Sequence, residues 1–364
     1  MADTYDFTRD RRWRNLLTLA IVALVLVVLA ALSLVHESQE VAPRYEAHPF
    51  LPGLASEVRD IARIRIVSKS GEVDVQFKPD KGWVVASHDD YPASFERVHE
   101  TVVGLAGLET IEPKTARSDW LHYLDLMPPP KGDGVTITLL DGQGRVLAGV
   151  VTGKKVDIGD PSGAQGLYVR QADSDQSWLV RSVLEPKTDA KDWLDKQVFD
   201  VDAARIQQVD ANPLNGPSFE VRRNKRGDPD MNLLDVPKGR EIAYPGAADG
   251  MANAISGFTF DDVRPAKDLD FSDSAHVARL VARTFDGLIV TVQTIQQGKD
   301  YWTVVSADGA AGQADAQRQA RTIDARASGW AYKMPIYKGQ QLMTSLESLL
   351  KPLPQKAAPA TPAK

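Results

Sequence analysis

Residues 16–35 limit what this chain can become more than any other stretch: twenty consecutive positions carry no charge, and only Thr18 and Ser33 are polar. As a helix rising about 1.5 Å per residue, the run spans about 30 Å, the thickness of a bilayer's hydrocarbon core. Arg9, Arg11, Arg12 and Arg14 precede it, and no Lys or Arg follows until Arg44. Basic flanks stay on the cytoplasmic side, so the asymmetry predicts a cytoplasmic N-terminus (residues 1–15), a single transmembrane helix (16–35) and a body beyond the membrane. A cleaved signal peptide has an apolar stretch of roughly 7–15 residues ending in a small-x-small site. This run is longer, and Ser33, Leu34, Val35 and His36 make a poor site. A helix in a soluble core would show a polar stripe, and this one has none.

The rest of the 364 residues has an ordinary globular composition, 43% apolar and 25% charged. That leaves room for about two folded units. A net charge of −6 provides no broad cationic surface, so no nucleic acid is expected as a partner. With no cysteine, disulfide frameworks, thiolate nucleophiles and iron–sulfur ligation are ruled out. Residues 36–56 hold Pro43, Pro49, Pro52 and Gly53 and read as a linker. Residues 348–364 are expected to be a disordered Pro/Ala-rich tail that cannot bury a core.

Between these ends one unit is written twice. Asp60, Ala62, Arg63, Ile64 and Val67 match Asp202, Ala204, Arg205, Ile206 and Val209. Tyr91 and Pro92 match Tyr244 and Pro245; counting onward without a gap, Val98, Val102, Gly104 and Leu105 meet Met251, Ile255, Gly257 and Phe258. Asp141 and Gly142 match Asp286 and Gly287, and Trp193 and Lys196 match Trp330 and Lys333. The order is kept at offsets of roughly 140–150 residues, far above the roughly 20–50 of solenoid repeats. Tandem duplication is expected, with units over 57–200 and 201–347.

Each unit reads as strands, then a helix, then strands. Ile64 and Ile66, then Val73, Val75 and Phe77, alternate as half-buried strands do. Trp83, Val84 and Val85 supply a third strand. Phe95, Val98, Val102 and Leu105 form one helical stripe. Val135, Ile137 and Leu139 alternate again, and residues 141–144 turn the chain back. Without regular βαβ alternation, the fold class is α+β with antiparallel sheets. The Trp residues are read as core or sheet packing.

No motif for chemistry completes itself. His99-Glu100 begins like HExxH, but Val103 stands where the second His belongs. Asp228, Asp230 and Asn232 open like a calcium loop, yet Leu233 and Gly239 occupy the positions of the required Gly and Glu. Gly153-Lys154-Lys155 and the Gly-rich residues 159–166 lack phosphate-loop spacing and are read as turns. Asp189, Asp192 and Asp195 recur every three residues, and beside Lys187, Lys191 and Lys196 they read as a solvated ion-paired face. A carboxylate-dependent hydrolase needs one such acid in an apolar pocket. Arg222, Arg223, Lys225 and Arg226 form the strongest basic cluster, a candidate interaction patch for anionic head groups or an acidic partner. No catalytic residue, metal ligand or cofactor site is assigned.

The Asp-x-Ala-Arg-Ile opening, Lys81-Gly82-Trp83, the helix through Val102 to Leu105, Leu124 to Pro128, and Trp193 with Lys196 resemble the domain-of-unknown-function 4340 family of bacterial proteins. The likeness covers most of residues 57–345. Similar proteins are commonly encoded beside an ATP-binding-cassette ATPase, its permease and a gliding-motility-type auxiliary protein. The resemblance therefore implies a non-catalytic accessory subunit of an ABC-type transport or envelope system, anchored in the bacterial inner membrane with its body in the periplasm. Two other readings stay open: a module binding lipid, glycan or peptide in the cleft between the units, and an envelope hydrolase using the surface carboxylates.

Overall fold

Alternating branched apolar side chains make the strands of this chain, and two sheets result. The computed structural model describes residues 25–28, 46–273 and 275–352. Of the predicted membrane run only 25–28 fall within it, as a single helical turn. Residues 1–15, the remainder of the run, the linker up to residue 45 and the tail from residue 353 lie outside the described residues. Among the described residues no helix is long and apolar enough to cross a membrane.

The first sheet contains β1 (Ile61–Ser68), β2 (Gly71–Lys78), β3 (Gly82–Val85), β4 (Tyr91–Pro92), β5 (Glu109–Pro113), β6 (Val135–Asp141), β7 (Val146–Val156), β8 (Gln165–Gln171) and β9 (Ser177–Ser182). Its spatial order is β4-β3-β2-β1-β6-β7-β8-β9-β5. The second contains β10 (Ile206–Asn212), β11 (Phe219–Arg222), β12 (Asn232–Leu233), β13 (Asp262–Pro265), β14 (Ala278–Thr284), β15 (Leu288–Gln297), β16 (Asp300–Gly309) and β17 (Trp330–Met334), in the order β12-β11-β10-β14-β15-β16-β17-β13. The orders are the same, strand for strand, except that β4 has no partner in the second sheet. Every pairing is antiparallel, so the chain is α+β with two antiparallel sheets.

Register fixes the correspondence more finely than residue identity does. β1 meets β6 through a bulge that leaves Ile61 opposite Asp141; β10 meets β14 through the same bulge, with Ile206 opposite Thr284. A 3₁₀ turn runs straight into each strand, Val58–Asp60 into β1 and Ala203–Arg205 into β10. Ile61 therefore occupies the place of Ile206, and the match of Asp60 with Asp202 is three residues out of register. Asp202 starts its turn, its side chain accepting from the Ala204 amide, whereas Asp60 ends one. The match of Trp193 with Trp330 also fails. Pro113 pairs with Trp178 and Pro265 with Trp330, so Trp178 is the true counterpart. Trp193 sits beyond the sheet in the turn Ala190–Trp193, fully buried, with its indole donating to the Lys187 carbonyl at 3.0 Å.

A short helical turn, α1 (Leu54–Glu57), precedes the first sheet. Helix α2 (Phe95–Ala106) starts where the Ser94 hydroxyl accepts from the Arg97 amide, and it buries Val98, Val102 and Leu105. Phe95, expected on that stripe, is 69% exposed. In the second unit α3 (Asp249–Ile255) buries Met251 and Ile255, and Phe258 follows in the next loop. The second unit adds α4 (Ala314–Ala327) between β16 and β17, where β8 and β9 have only a short turn; α5 (Ile336–Leu342) follows β17. One continuous apolar cluster joins the inner faces of both units. At the junction the Tyr91 ring lies edge-on to Phe260, Trp330 and Tyr332 at centroid distances of 5.9, 5.0 and 6.3 Å, and Phe199 stacks on Phe258 at 4.8 Å.

The outer face of each sheet carries a small cluster under the segment that crosses from β5 to β6, or from β13 to β14. In the first unit Leu121 and Leu126 pack on Val151; in the second Leu269 and Phe271 pack against Val277, Ile295 and Trp302. Gly153-Lys154-Lys155, expected as a turn, lies inside β7. Gly153 is needed there because a Cβ would stand 2.1 Å from the Leu124 carbonyl oxygen.

Candidate functional site

Three surfaces bear on function: the basic hairpin, the carboxylate turn, and a groove beside α2. The structure breaks up the first. Arg222 is exposed on β11, pairs with Glu220 and donates to the Gln208 side chain at 3.0 Å. Arg223 is buried, donating to the carbonyls of Ala203 at 2.8 Å and Ile206 at 3.0 Å. It ties the hairpin to the start of β10, so it is not available to a surface patch. Alternation on a strand demands this, because neighbours point to opposite faces. Lys225 stays in solvent within 4.0 Å of Asp228, and Arg226 lies over the Phe285 ring at 5.9 Å. Of the calcium-like residues, Asp228 and Asp230 fall in the turn between β11 and β12, where Asp228 accepts from the Lys225 amide, and Asn232 lies on β12, paired with Arg222.

Asp189, Asp192 and Asp195 do not share a helical face, because the helix between them is only the four-residue 3₁₀ turn Ala190–Trp193. Asp189 caps that turn through the Lys191 amide, and Asp195 accepts from the Gln197 amide at 3.0 Å. In each, Oδ1 accepts from local backbone. Asp189 and Asp192 are exposed rather than set in an apolar pocket. Among the described residues no three His, Cys, Asp or Glu gather as a metal site.

A different polar cluster bridges the units, and sequence spacing gave no sign of it. His88 Nε2 lies 3.1 Å from one oxygen of Asp262, and Lys191 Nζ lies 3.2 Å from the other. Burial alone would raise the Asp262 carboxyl, but hydrogen bonds from His88, the Val263 amide and Lys191 outweigh it and hold it at about 2. The same carboxylate raises Lys191. Beside this cluster the Tyr91 hydroxyl donates to the Asp195 carbonyl at 3.0 Å, and burial pushes the hydroxyls of Tyr91 and Tyr332 well up. The arrangement can clamp two bodies together.

The open surface lies along α2. Helix and β9 exit form a groove of about 450 Å³ lined by Arg97, His99, Glu100, Val103, Val183 and Glu185. Val183 is 75% exposed and Val103 50%, and the ring of exposed Phe95 stacks on His99 at 6.2 Å. Gly104 allows the approach of the wall, since a Cβ there would meet Leu184 at 3.1 Å. Its apolar side chains are flanked by the charged groups of Arg97, Glu100 and Glu185.

The fold is a two-sheet α+β body. Its family follows from comparison: the model for the Domain of unknown function (DUF4340) matches residues 83–274, and the chain belongs to that family. The matched span runs from β3 of the first sheet past β13 of the second and includes Tyr91, Phe199, Phe258 and Phe260 of the junction. No curated protein and no solved structure shows significant similarity to the chain.

Proposed function

We propose that this chain is a non-catalytic accessory subunit of an ABC-type transport or cell-envelope system, anchored in the inner membrane by residues 16–35 and carrying its two-sheet body in the periplasm. The observation that carries the membrane placement is the uncharged run itself. Its four described residues add support: Val25, Leu26, Val27 and Val28 are helical and exposed by 50, 61, 66 and 49%. Four consecutive helical positions point to all sides, so the folded body covers no face of this turn, and lipid is the medium that suits it. The accessory role rests on family resemblance, with the groove of Val103 and Val183, and exposed Phe95 beside it, as the surface that would meet a permease. A single-pass anchor would raise the local concentration of that surface at the membrane.

Ring packing at the junction weighs against the reading of a ligand clamped between the units. A ligand there would have to displace Tyr91, Phe260 and Tyr332, which are 3, 1 and 0% exposed. The test is co-purification. Extracted in mild detergent from its native membrane, the tagged chain should bring with it a permease and an ATPase, and Val103→Glu with Val183→Glu should reduce that recovery. Repeated recovery of the chain alone would contradict the proposal.

A further inference from the structure

The crossing segment of the first unit carries two exposed aromatics three residues apart. Trp120 is 49% exposed and Tyr123 65%, both within the 3₁₀ helix Ser118–Leu124. With three residues per turn, positions 120 and 123 stand one above the other on a single ridge, while 121 and 124 face the sheet. Leu121 is buried and Leu124 packs beside it. The platform is rigidly held: Arg170, itself buried, donates to the carbonyls of Leu126, Gln171, Ala172 and Ser174, and Lys154 donates to the Tyr123 carbonyl at 3.0 Å. Two amphipathic rings kept in water on a braced ridge call for an occupant.

Where the chain comes in indicates which one. Residues 46–49 run antiparallel to β5, with Pro49 opposite Glu109 and the Thr110 amide donating to the His48 carbonyl at 2.9 Å. Followed backwards from Pro49, the segment heads toward Pro113, the end of β5 from which the Trp120 ridge departs. The first described residue of the body thus leaves at the same end as the ridge. Ten residues, 36–45, separate it from the apolar run. At about 3.5 Å each they reach at most roughly 35 Å, so this end of the body stays close to the bilayer.

We propose that the Trp120–Tyr123 ridge rests in the lipid interface, so that the first unit docks on the membrane surface as well as being tethered to it. The proposal rests on the anchor reading above. Trp and Tyr favour the headgroup level because each has an apolar body and a polar tip. The charges around the ridge are paired with one another, Lys114 with Glu112, Arg117 with Asp119 at 2.7 Å and Lys154 with Asp125 at 3.9 Å. Arg117 also lies over the Trp120 ring at 4.8 Å. The contact is therefore aromatic rather than electrostatic and does not require anionic lipid.

The cysteine-free chain allows a direct test. Tyr123→Cys and Val103→Cys, each carrying a nitroxide, are reconstituted as full chains in phosphatidylcholine liposomes, with Val103 on the opposite side of the sheet as control. The label at 123 should favour collision with oxygen over a water-soluble nickel chelate several-fold more than the label at 103, with little change on adding phosphatidylglycerol or salt. Equal, water-like accessibility at both sites in a chain that resists alkaline carbonate would overturn the docking and leave the anchor intact. Shielding at 123 that needs anionic lipid, or that comes only with added permease, would also overturn it. Release of the chain by carbonate would instead remove the anchor, and the docking with it.

Discussion

The two units share one strand order and finish it differently. Position by position, Thr152 on β7 corresponds to Thr294 on β15, each buried at the same place against the neighbouring strand. The next residue differs. In the first unit it is Gly153, and the Leu124 carbonyl presses into the space a side chain would need; in the second it is Ile295, which fills that space and packs against Trp302. The first unit thus accepts a longer crossing segment with exposed rings. The second uses a short one that closes over its own cluster, with Arg264 stacked 3.7 Å above Trp302. The second unit also adds α4, whose Ala316, Ala320 and Ile323 join the inner core. A duplicated frame can keep its hydrogen-bond register while its faces diverge, because register depends on backbone and turn positions and the faces depend on a few side chains.

The sharpest way to break this comparison is at Tyr91 and Tyr244, which the sequence aligns and the structure separates. Tyr91 is 3% exposed inside the junction and Tyr244 is 62% exposed. Tyr91→Ala should cost about 3–5 kcal/mol in chemical denaturation, the range for large aromatic truncations in a core. It should also split one unfolding transition into two as the units uncouple. Tyr244→Ala should stay within about 0.5 kcal/mol. Equal effects would mean the junction is not the shared core described.

Gly153→Ala comes next. Forcing a Cβ against the Leu124 carbonyl should cost about 1–3 kcal/mol, as overpacking does. Amide exchange should accelerate in residues 121–127 and leave the second sheet unchanged. A smaller effect follows from Asp262. Its folded carboxyl sits at about 2, below an unfolded value of about 3.9. A depressed carboxylate contributes stability that is fully present above the unfolded value and is lost as the pH falls through the folded one. Wild type should therefore exceed Asp262→Asn by about 2 kcal/mol near pH 6, with the gap closing between about pH 4 and 2 in urea titrations. The smallest effect is expected at the hairpin: Lys225→Ala with Arg226→Ala should change stability by no more than about 0.5 kcal/mol.

The strands were legible because their signal is local. Ile64 and Ile66, Val73 and Val75, and Ile137 and Leu139 alternate, and each lies buried on one face. The repeat was legible for the same reason, but its register was not. Asp-x-Ala-Arg-Ile looks like a shared motif, yet the bulges at Ile61 and Ile206 show a shift of three. Of the basic cluster, Arg223 turned inward because strand neighbours alternate, a consequence that a count of charges overlooks. The His88–Asp262–Lys191 clamp joins residues 174 positions apart and leaves no local trace. Trp120, read with the other Trp residues as packing, is exposed because its 3₁₀ turn offers the sheet a different edge.

The side of the membrane that the body occupies decides most. Alkaline phosphatase, active only after export, can be fused after Lys364 and assayed in intact cells, with the chain followed through an alkaline carbonate wash. A periplasmic body on a retained anchor should give high phosphatase activity and a chain that remains in the membrane pellet. A silent fusion, with the chain released into the soluble fraction, would contradict it.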